Sequence, residues 1–235
     1  SLARMLESEP EDRGKLIAVD GVYSMEGDLA DLPQLTEYRE EYDAALMVDD
    51  AHALGVLGPN GEGTAAHFGL TDEVDLITGT FSKSLASIGG FVAGDEYVME
   101  YLQNNARSLI FSASMPPSAV ATVLKALEII RSEPERRERL WRNAEKMQQG
   151  FEEIGFDIGP TETPIVPVHV GPMDKTFKFW KALYDAGVFT NPVVPPAVPE
   201  GGCRLRTSFM ATHTDEQLDT VLERMAAIGN ELDVV

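Results

Sequence analysis

A chain of 235 residues with 39 acidic and 19 basic side chains carries a formal charge of −20 at pH 7, which argues against nucleic acid and anionic membrane surfaces as partners. Its 43% hydrophobic content is ordinary for a globular protein, and no apolar run approaches the roughly 20 residues that span a bilayer, so no integral membrane segment is expected. The single cysteine, Cys203, excludes a disulfide framework, and with no charged-then-apolar leader in view it points to a reducing cytoplasm. The acidic residues are spread along the chain and only seven lysines occur, a pattern that fits a solvated acidic surface, whether salt-adapted or simply acidic.

In chain order, residues 1–11 read as the body and end of a helix, followed by a loop. Residues 15–19 (KLIAV), 44–48 (AALMV) and 75–78 (DLIT) are short apolar runs bounded by turn residues, the pattern of parallel strands buried on both faces. Residues 89–94 (GGFVAG) form a fourth strand, too close behind the third for a helical crossover, which permits an antiparallel pairing. Pro116 and Pro117 open a helix over residues 118–131. Pro134 opens a second helix with Leu140, Ala144, Met147 and Phe151 along one face, ended by Gly155.

Beyond residue 160 the texture changes. Ile165, Val166, Val168 and Val170 read as a strand, and residues 175–186 as a helix with Phe177, Trp180, Leu183 and Tyr184 inward, closed by Gly187. Residues 203–209 alternate, which puts Arg204, Arg206 and Ser208 on one face of a strand. Thr214 or Asp215 caps a last helix with Leu218, Val221, Leu222, Met225 and Leu232 buried. The expected class is α/β, with a mostly parallel sheet in residues 1–131 and a smaller α+β domain in residues 132–235.

Ligands of open parallel sheets gather beyond the carboxyl ends of the strands. Three polar clusters fall there: Ser24 in GVYSMEG, Asp49, Asp50 and His52 in DDAH, and Thr80, Ser82 and Lys83 in GTFSKS. A carboxylate, an imidazole and an amine at neighbouring strand ends suit pyridoxal phosphate (PLP). A lysine in a partly desolvated site forms a Schiff base with it, and a carboxylate keeps its ring nitrogen protonated. His52 and Ser24 are donors for its phenolic oxygen, and Thr80 and Ser82 for its phosphate. Plainer readings stand beside these. A lysine after a strand is commonly a surface residue, paired aspartates are turn formers or a magnesium site, and alternating arginines are an exposed strand face.

Five motifs in order, GVYSMEGDLADLPQL, VDDAHALGVLGPNGEGT, DLITGTFSKSLASIGGFVAG, IFSASMPPS and RLRTSFMATHTDEQLD, resemble the α-oxoamine synthase family, whose members are fold-type-I PLP enzymes. The resemblance runs through essentially the whole chain. It implies that the family's N-terminal portion is absent here, with its glycine-containing segment and the histidine that stacks on the PLP ring, while the C-terminus is complete. It also implies roles residue by residue. Lys83 matches the Schiff-base lysine, Asp49 the partner of the pyridine nitrogen, and His52 and Ser24 the groups near the phenolic oxygen. Thr80 matches a phosphate contact, with Ser82 beside it, and Ser112 a residue that reaches the phosphate of the other subunit's cofactor, which implies a homodimer with shared active sites. Arg206 matches the arginine that binds the amino-acid carboxylate, a task suited to its planar fork. Asp50 matches a variable acidic position and is assigned no role.

The family condenses an amino acid with an acyl-CoA and releases CoA and carbon dioxide. Lys83 then serves as anchor and proton carrier, and Asp49 and His52 complete the catalytic set. Serine precedes the lysine in GTFSKS, where the branches that make 2-amino-3-ketobutyrate, 8-amino-7-oxononanoate and 5-aminolevulinate typically carry glycine. That serine and the run GVFTNPVVPPAVP resemble the branch that joins L-serine to a long-chain acyl-CoA and gives a 3-keto sphingoid base. Glycine C-acetyltransferase and 8-amino-7-oxononanoate synthase are the alternatives within the family. A non-catalytic partner subunit or inactive fragment is the alternative of another class, and such subunits lack the lysine that is present here.

Overall fold

The computed structural model describes residues 1–10 and 12–235, so the expected helix end at Glu11 lies outside the described residues. Two compact units emerge, one of Ser1–Val22 and Leu29–Pro134, the other of Tyr23–Asp28 and Glu135–Val235.

The first unit is built on a four-stranded sheet in the order β1-β2-β3-β4: β1 (Lys15–Asp20), β2 (Ala44–Asp49), β3 (Leu76–Thr80) and β4 (Gly90–Gly94). The first three run parallel and β4 is antiparallel to β3. Parallel neighbours need a crossover, and α2 (Leu32–Glu41) supplies one between β1 and β2. Its start is set by Asp31, whose carboxylate accepts the Gln34 amide at 3.2 Å, and by Pro33 in the first turn. Leu32, Leu46 and Val48 are fully buried between helix and sheet, each worth roughly 1.5–3 kcal/mol of burial. One ionic clamp ties three elements. Arg39 on α2 grips the Asp75 carboxylate with two hydrogen bonds of 2.8 and 2.7 Å, and Asp75 also accepts the Leu46 amide of β2 at 2.8 Å. Further helices are α1 (Leu2–Ser8), α3 (Thr64–Phe68), α4 (Glu96–Asn105), α5 (Arg107–Ile110) and α6 (Pro117–Ser132).

The second unit has an antiparallel sheet in the order β5-β7-β6, from β5 (Ile165–Gly171), β6 (Asn191–Val193) and β7 (Cys203–Ser208), with helices α7 (Glu135–Ile154), α8 (Met173–Asp185) and α9 (Asp215–Glu231). Met147, Phe151, Phe179, Leu183, Leu205 and Met225 are wholly buried at its centre. Thr214 is the cap of α9, in a reciprocal arrangement with Gln217.

On α8 the expected inward face is corrected. Thr176, Phe179 and Leu183 are buried, whereas Phe177 and Tyr184 are 42% and 54% exposed. Both sets have helical spacing. Beside the short turn at Gly187 and the buried Val188, Phe179 stacks on Phe156 at 5.9 Å, and Phe177 and Tyr184 lie on the outer side, while Trp180 between them is half-buried against the core as expected, its Nε1 donating to the Thr190 carbonyl at 3.1 Å. Strand β6 was not foreseen. Its Pro192 lacks an N–H, and an edge strand tolerates that. Among the described residues no helix is long and apolar enough to cross a membrane.

Candidate active site

The register of the first sheet places three polar residues at one level, with Asp20 opposite Asp49 and Asp49 opposite Thr78. Thr80 ends β3 two residues further on, and the loop carrying Lys83 leaves from there. The carboxylate tip of β2 and the lysine loop of β3 therefore grow from adjacent parallel strands, the edge at which open α/β sheets collect ligands.

Asp49 turns back on its own chain, its Oδ1 accepting the Ala51 amide at 2.9 Å. The Ala53 and Leu54 amides both donate to the Asp50 carbonyl at 3.0 Å, so His52 rides on a tight turn, half-buried and three residues from Asp49. Asp50 is only 1% exposed. Its Oδ2 accepts the Thr64 amide at 2.9 Å, and burial raises its carboxyl above the ordinary 3.8. Two glycines make room for it. A Cβ on Gly63 (φ +121°) would stand 2.1 Å from Asp50 Oδ2, and one on Gly21 would stand 2.3 Å from both Asp50 Oδ1 and Thr64 Oγ1. The paired aspartates thus divide the work: Asp50 anchors the turn from inside, and Asp49 stays half-buried at the strand tip. Sequence reasoning assigned Asp50 no role. The signal that marks it is the glycine on either side of its carboxylate.

The loop of residues 81–89 closes on itself. The Phe81 amide donates to Gly89 at 2.9 Å, Ser87 to Phe81 at 2.7 Å, and Ala86 to the Lys83 carbonyl at 2.9 Å. Leu85 plugs it into the core at 1% exposure. At its base the hydroxyls of Thr80 and Ser82 lie 2.8 Å apart, and the Ser82 amide donates to Thr80 Oγ1 at 3.2 Å. Two hydroxyls and a strand-end backbone suit a phosphate. Lys83 itself is exposed, so the partly desolvated setting expected for it is not supplied by the described residues. Ser112, just beyond α5, is exposed as well, its hydroxyl donating to the Ser108 carbonyl; it lies on neither strand tip.

Ser24 and Arg206 belong to the second unit, where the structure brings them together: Arg206 Nε donates to the Ser24 carbonyl at 2.6 Å. Ser24 sits four residues past the end of β1, in a turn rather than at the strand tip itself. The reading of Arg204 and Arg206 as an exposed strand face is overturned. Arg204 is 6% exposed and Arg206 half-buried, because the Tyr23–Asp28 segment covers them. Arg204 has an acidic partner, Glu26, at 3.3 Å. Among the described residues no ion pair is found for Arg206, and burial lowers its pKa with nothing opposing. A half-buried guanidinium without a carboxylate partner among the described residues has the chemistry to accept an anion.

Residues 1–225 match the model of the family aminotransferase class I and II. A serine palmitoyltransferase of Sphingobacterium spiritivorum is 55% identical over 99% of this chain and 58% of its own length. An 8-amino-7-oxononanoate synthase of Lysinibacillus sphaericus is 46% identical over 100% of this chain and 60% of its own. A high-resolution structure of SPT with a PLP internal aldimine superposes with a TM-score of 0.96 at 38% identity, over 100% of this chain and 59% of that one. The chain thus spans about three fifths of the length of such relatives. With a family model matched from its first residue to residue 225, the chain belongs to the aminotransferase class I and II family.

Proposed function

We propose that this chain carries the cofactor-anchoring and carboxylate-binding parts of a PLP-dependent enzyme that condenses an amino acid with an acyl-CoA, releasing CoA and carbon dioxide. The observation that carries the reading is the register at the sheet edge: Asp49 opposite Thr78, with Thr80 and the Lys83 loop leaving the same strand. The donor set fits PLP: an amine for its aldehyde, a carboxylate for its ring nitrogen, and a hydroxyl pair 2.8 Å apart for its phosphate. When bound, PLP supplies an electron sink for the negative charge that develops at the amino acid's α-carbon.

The chain's own residues do the rest. Lys83 would hold the cofactor through its Nζ, and the same amine would carry the α-proton. Asp49 would pair with the ring nitrogen, its carboxylate oriented by the Ala51 amide on Oδ1. His52 is the candidate donor for the phenolic oxygen at this strand tip, and the family resemblance gives Ser24 the same role. Arg206 takes the substrate carboxylate through the guanidinium nitrogens that Ser24 leaves open. Ser112 serves the cofactor phosphate of a second copy. Its neighbours favour a homodimer: Phe111 is 80% exposed, Leu109 57% and Ile110 48%, more apolar surface than one short segment carries without a partner.

For the substrates we favour L-serine and a long-chain acyl-CoA. The serine before Lys83 supports this, as does the 55% identity to a serine palmitoyltransferase against 46% to an 8-amino-7-oxononanoate synthase.

The test is borohydride reduction of the PLP-loaded protein. Wild type should retain PLP covalently and Lys83→Ala should not. Labelling of the variant at the wild-type level would remove Lys83 from the reading. CoA release with serine, glycine and alanine, each crossed with short and long acyl-CoAs, then identifies the substrates. Turnover restricted to glycine or alanine with short chains would overturn the serine assignment.

A further inference from the structure

Arg204 and Arg206 lie two residues apart on β7, so their side chains leave the same face and stand side by side. They grip successive residues of one segment. Arg206 Nε donates to the Ser24 carbonyl at 2.6 Å. Arg204 Nη1 donates to the Met25 carbonyl at 3.5 Å and to Glu26 Oε1 at 3.3 Å. Arg204 Nε donates to the Gly202 carbonyl at 3.1 Å, which fixes the side chain on its own strand.

The far end of the same segment is clamped by backbone. The Glu162 amide donates to the Gly27 carbonyl at 3.1 Å, and Thr161 Oγ1 donates to it at 3.3 Å. Gly27 has φ +75°, and a Cβ there would stand 2.2 Å from the Ile165 carbonyl. That end cannot slide. The end nearer Ser24 depends on the two arginines.

Their charges are treated differently. Arg204 is buried and its charge is answered by Glu26 within the fold. Arg206 is half-buried and answered by no ion pair among the described residues. One arginine is therefore spent on holding the segment, and the other keeps its terminal nitrogens for a ligand.

We propose that Arg204, through its ion pair with Glu26, is a positioning residue: it pins the Tyr23–Asp28 segment so that the Ser24 carbonyl holds Arg206 by its Nε and turns the terminal guanidinium nitrogens toward the substrate carboxylate. This rests on Arg206 being the carboxylate-binding group. With Arg204 gone, the Ser24 carbonyl drifts and Arg206 loses its fixed orientation. Glu26, two residues from Ser24, also becomes an internal competitor for the unpaired guanidinium.

The experiment titrates the visible band of the PLP-loaded protein with L-serine and with L-serinamide, which lacks the carboxylate. Wild type, Arg204→Lys, Arg204→Met, Glu26→Gln and Arg206→Ala are compared. Arg204→Lys keeps the charge but not the fork, and it guards against a variant that fails to fold. Arg204→Lys and Arg204→Met should bind L-serine roughly tenfold more weakly, the scale of one charge-assisted hydrogen bond, and bind the amide as wild type does. Glu26→Gln added to Arg204→Met should recover part of the loss. The KM for acyl-CoA and the PLP content should not move.

Equal weakening for serine and its amide, or unchanged serine binding in both Arg204 variants, would overturn the proposal. If Arg206→Ala itself leaves the serine-to-amide preference intact, the reading of Arg206 is what fails. If Arg206→Ala abolishes that preference and the Arg204 variants retain it, only the positioning role fails.

Discussion

His169 on β5 pairs across the sheet with Arg204 on β7. Burial first, and then that guanidinium, lower its imidazole below the ordinary 6.5, while Asp157 and Glu26 pull the other way. The fold therefore prefers the neutral ring, and the unfolded chain is the better proton binder. The stability that follows is fully present above about 6.5 and is lost as the pH falls through the lowered folded value. Unfolding midpoints of the second unit should drop between about pH 7 and pH 5, and His169→Gln should flatten that stretch. A slope unchanged in the variant would assign the proton uptake elsewhere. Asp50, in the first unit, has the opposite sign. Its carboxyl is raised, so its contribution is fully present below about 3.8 and is lost as the pH climbs through the folded value.

At this scale the sequence revealed side chains whose chemistry is intrinsic and missed those whose meaning comes from what covers them. Lys83, Asp49 and Arg206 stand out because an amine, a carboxylate and a guanidinium recur at recognisable places in ordered motifs. For Arg204 the plainer reading of an exposed strand face stayed open, because alternation tells which side chains share a face, not what lies over it. Its cover is 179 positions away at Met25.

For the elements, strands and caps were more legible than helix faces. The parallel strands carried continuous apolar runs, and the close spacing of β3 and β4 already allowed the antiparallel turn that the register confirms. On α8 two stripes compete at the same period, and only packing in the folded unit chooses between them. The start of α9 was narrowed to two residues, and the hydrogen bonds choose Thr214. Its hydroxyl accepts the Gln217 amide at 3.3 Å, and Gln217 Oε1 accepts the Thr214 amide at 3.0 Å. Removing one half of such a box costs about 1 kcal/mol. Thr214→Ala should lower the stability of the second unit by that amount, read as a shift in urea midpoint, and Thr214→Ser should restore most of it. A Thr214→Ala variant as stable as wild type would mean that water serves the free amide equally well.

Across the whole molecule the dominant electrostatic fact is the excess of acid, 39 acidic against 19 basic residues. Several of its ion pairs are exposed contacts within one helix turn, such as Lys125 with Glu128 and Lys181 with Asp185. Pairs of this kind contribute at most about 1 kcal/mol each, and salt weakens them. Repulsion among the remaining negative charges opposes compactness, and salt weakens that too, because the screening length shrinks from about 8 Å at physiological ionic strength to about 3 Å at 1 M. With acids outnumbering bases two to one, most acidic side chains have no cation to lose, so relief of repulsion outweighs loss of the pairs. The melting temperature should therefore rise by several degrees between about 0.05 and 1 M KCl. Sorbitol at equal osmolality should give a smaller rise, since it screens nothing. Exchanging four exposed glutamates for glutamine, at Glu152, Glu153, Glu216 and Glu223, should raise the low-salt value and shrink the KCl response together. A melting temperature that is flat or falls with KCl would show that the ion pairs, not the repulsion, control the stability of this acidic chain.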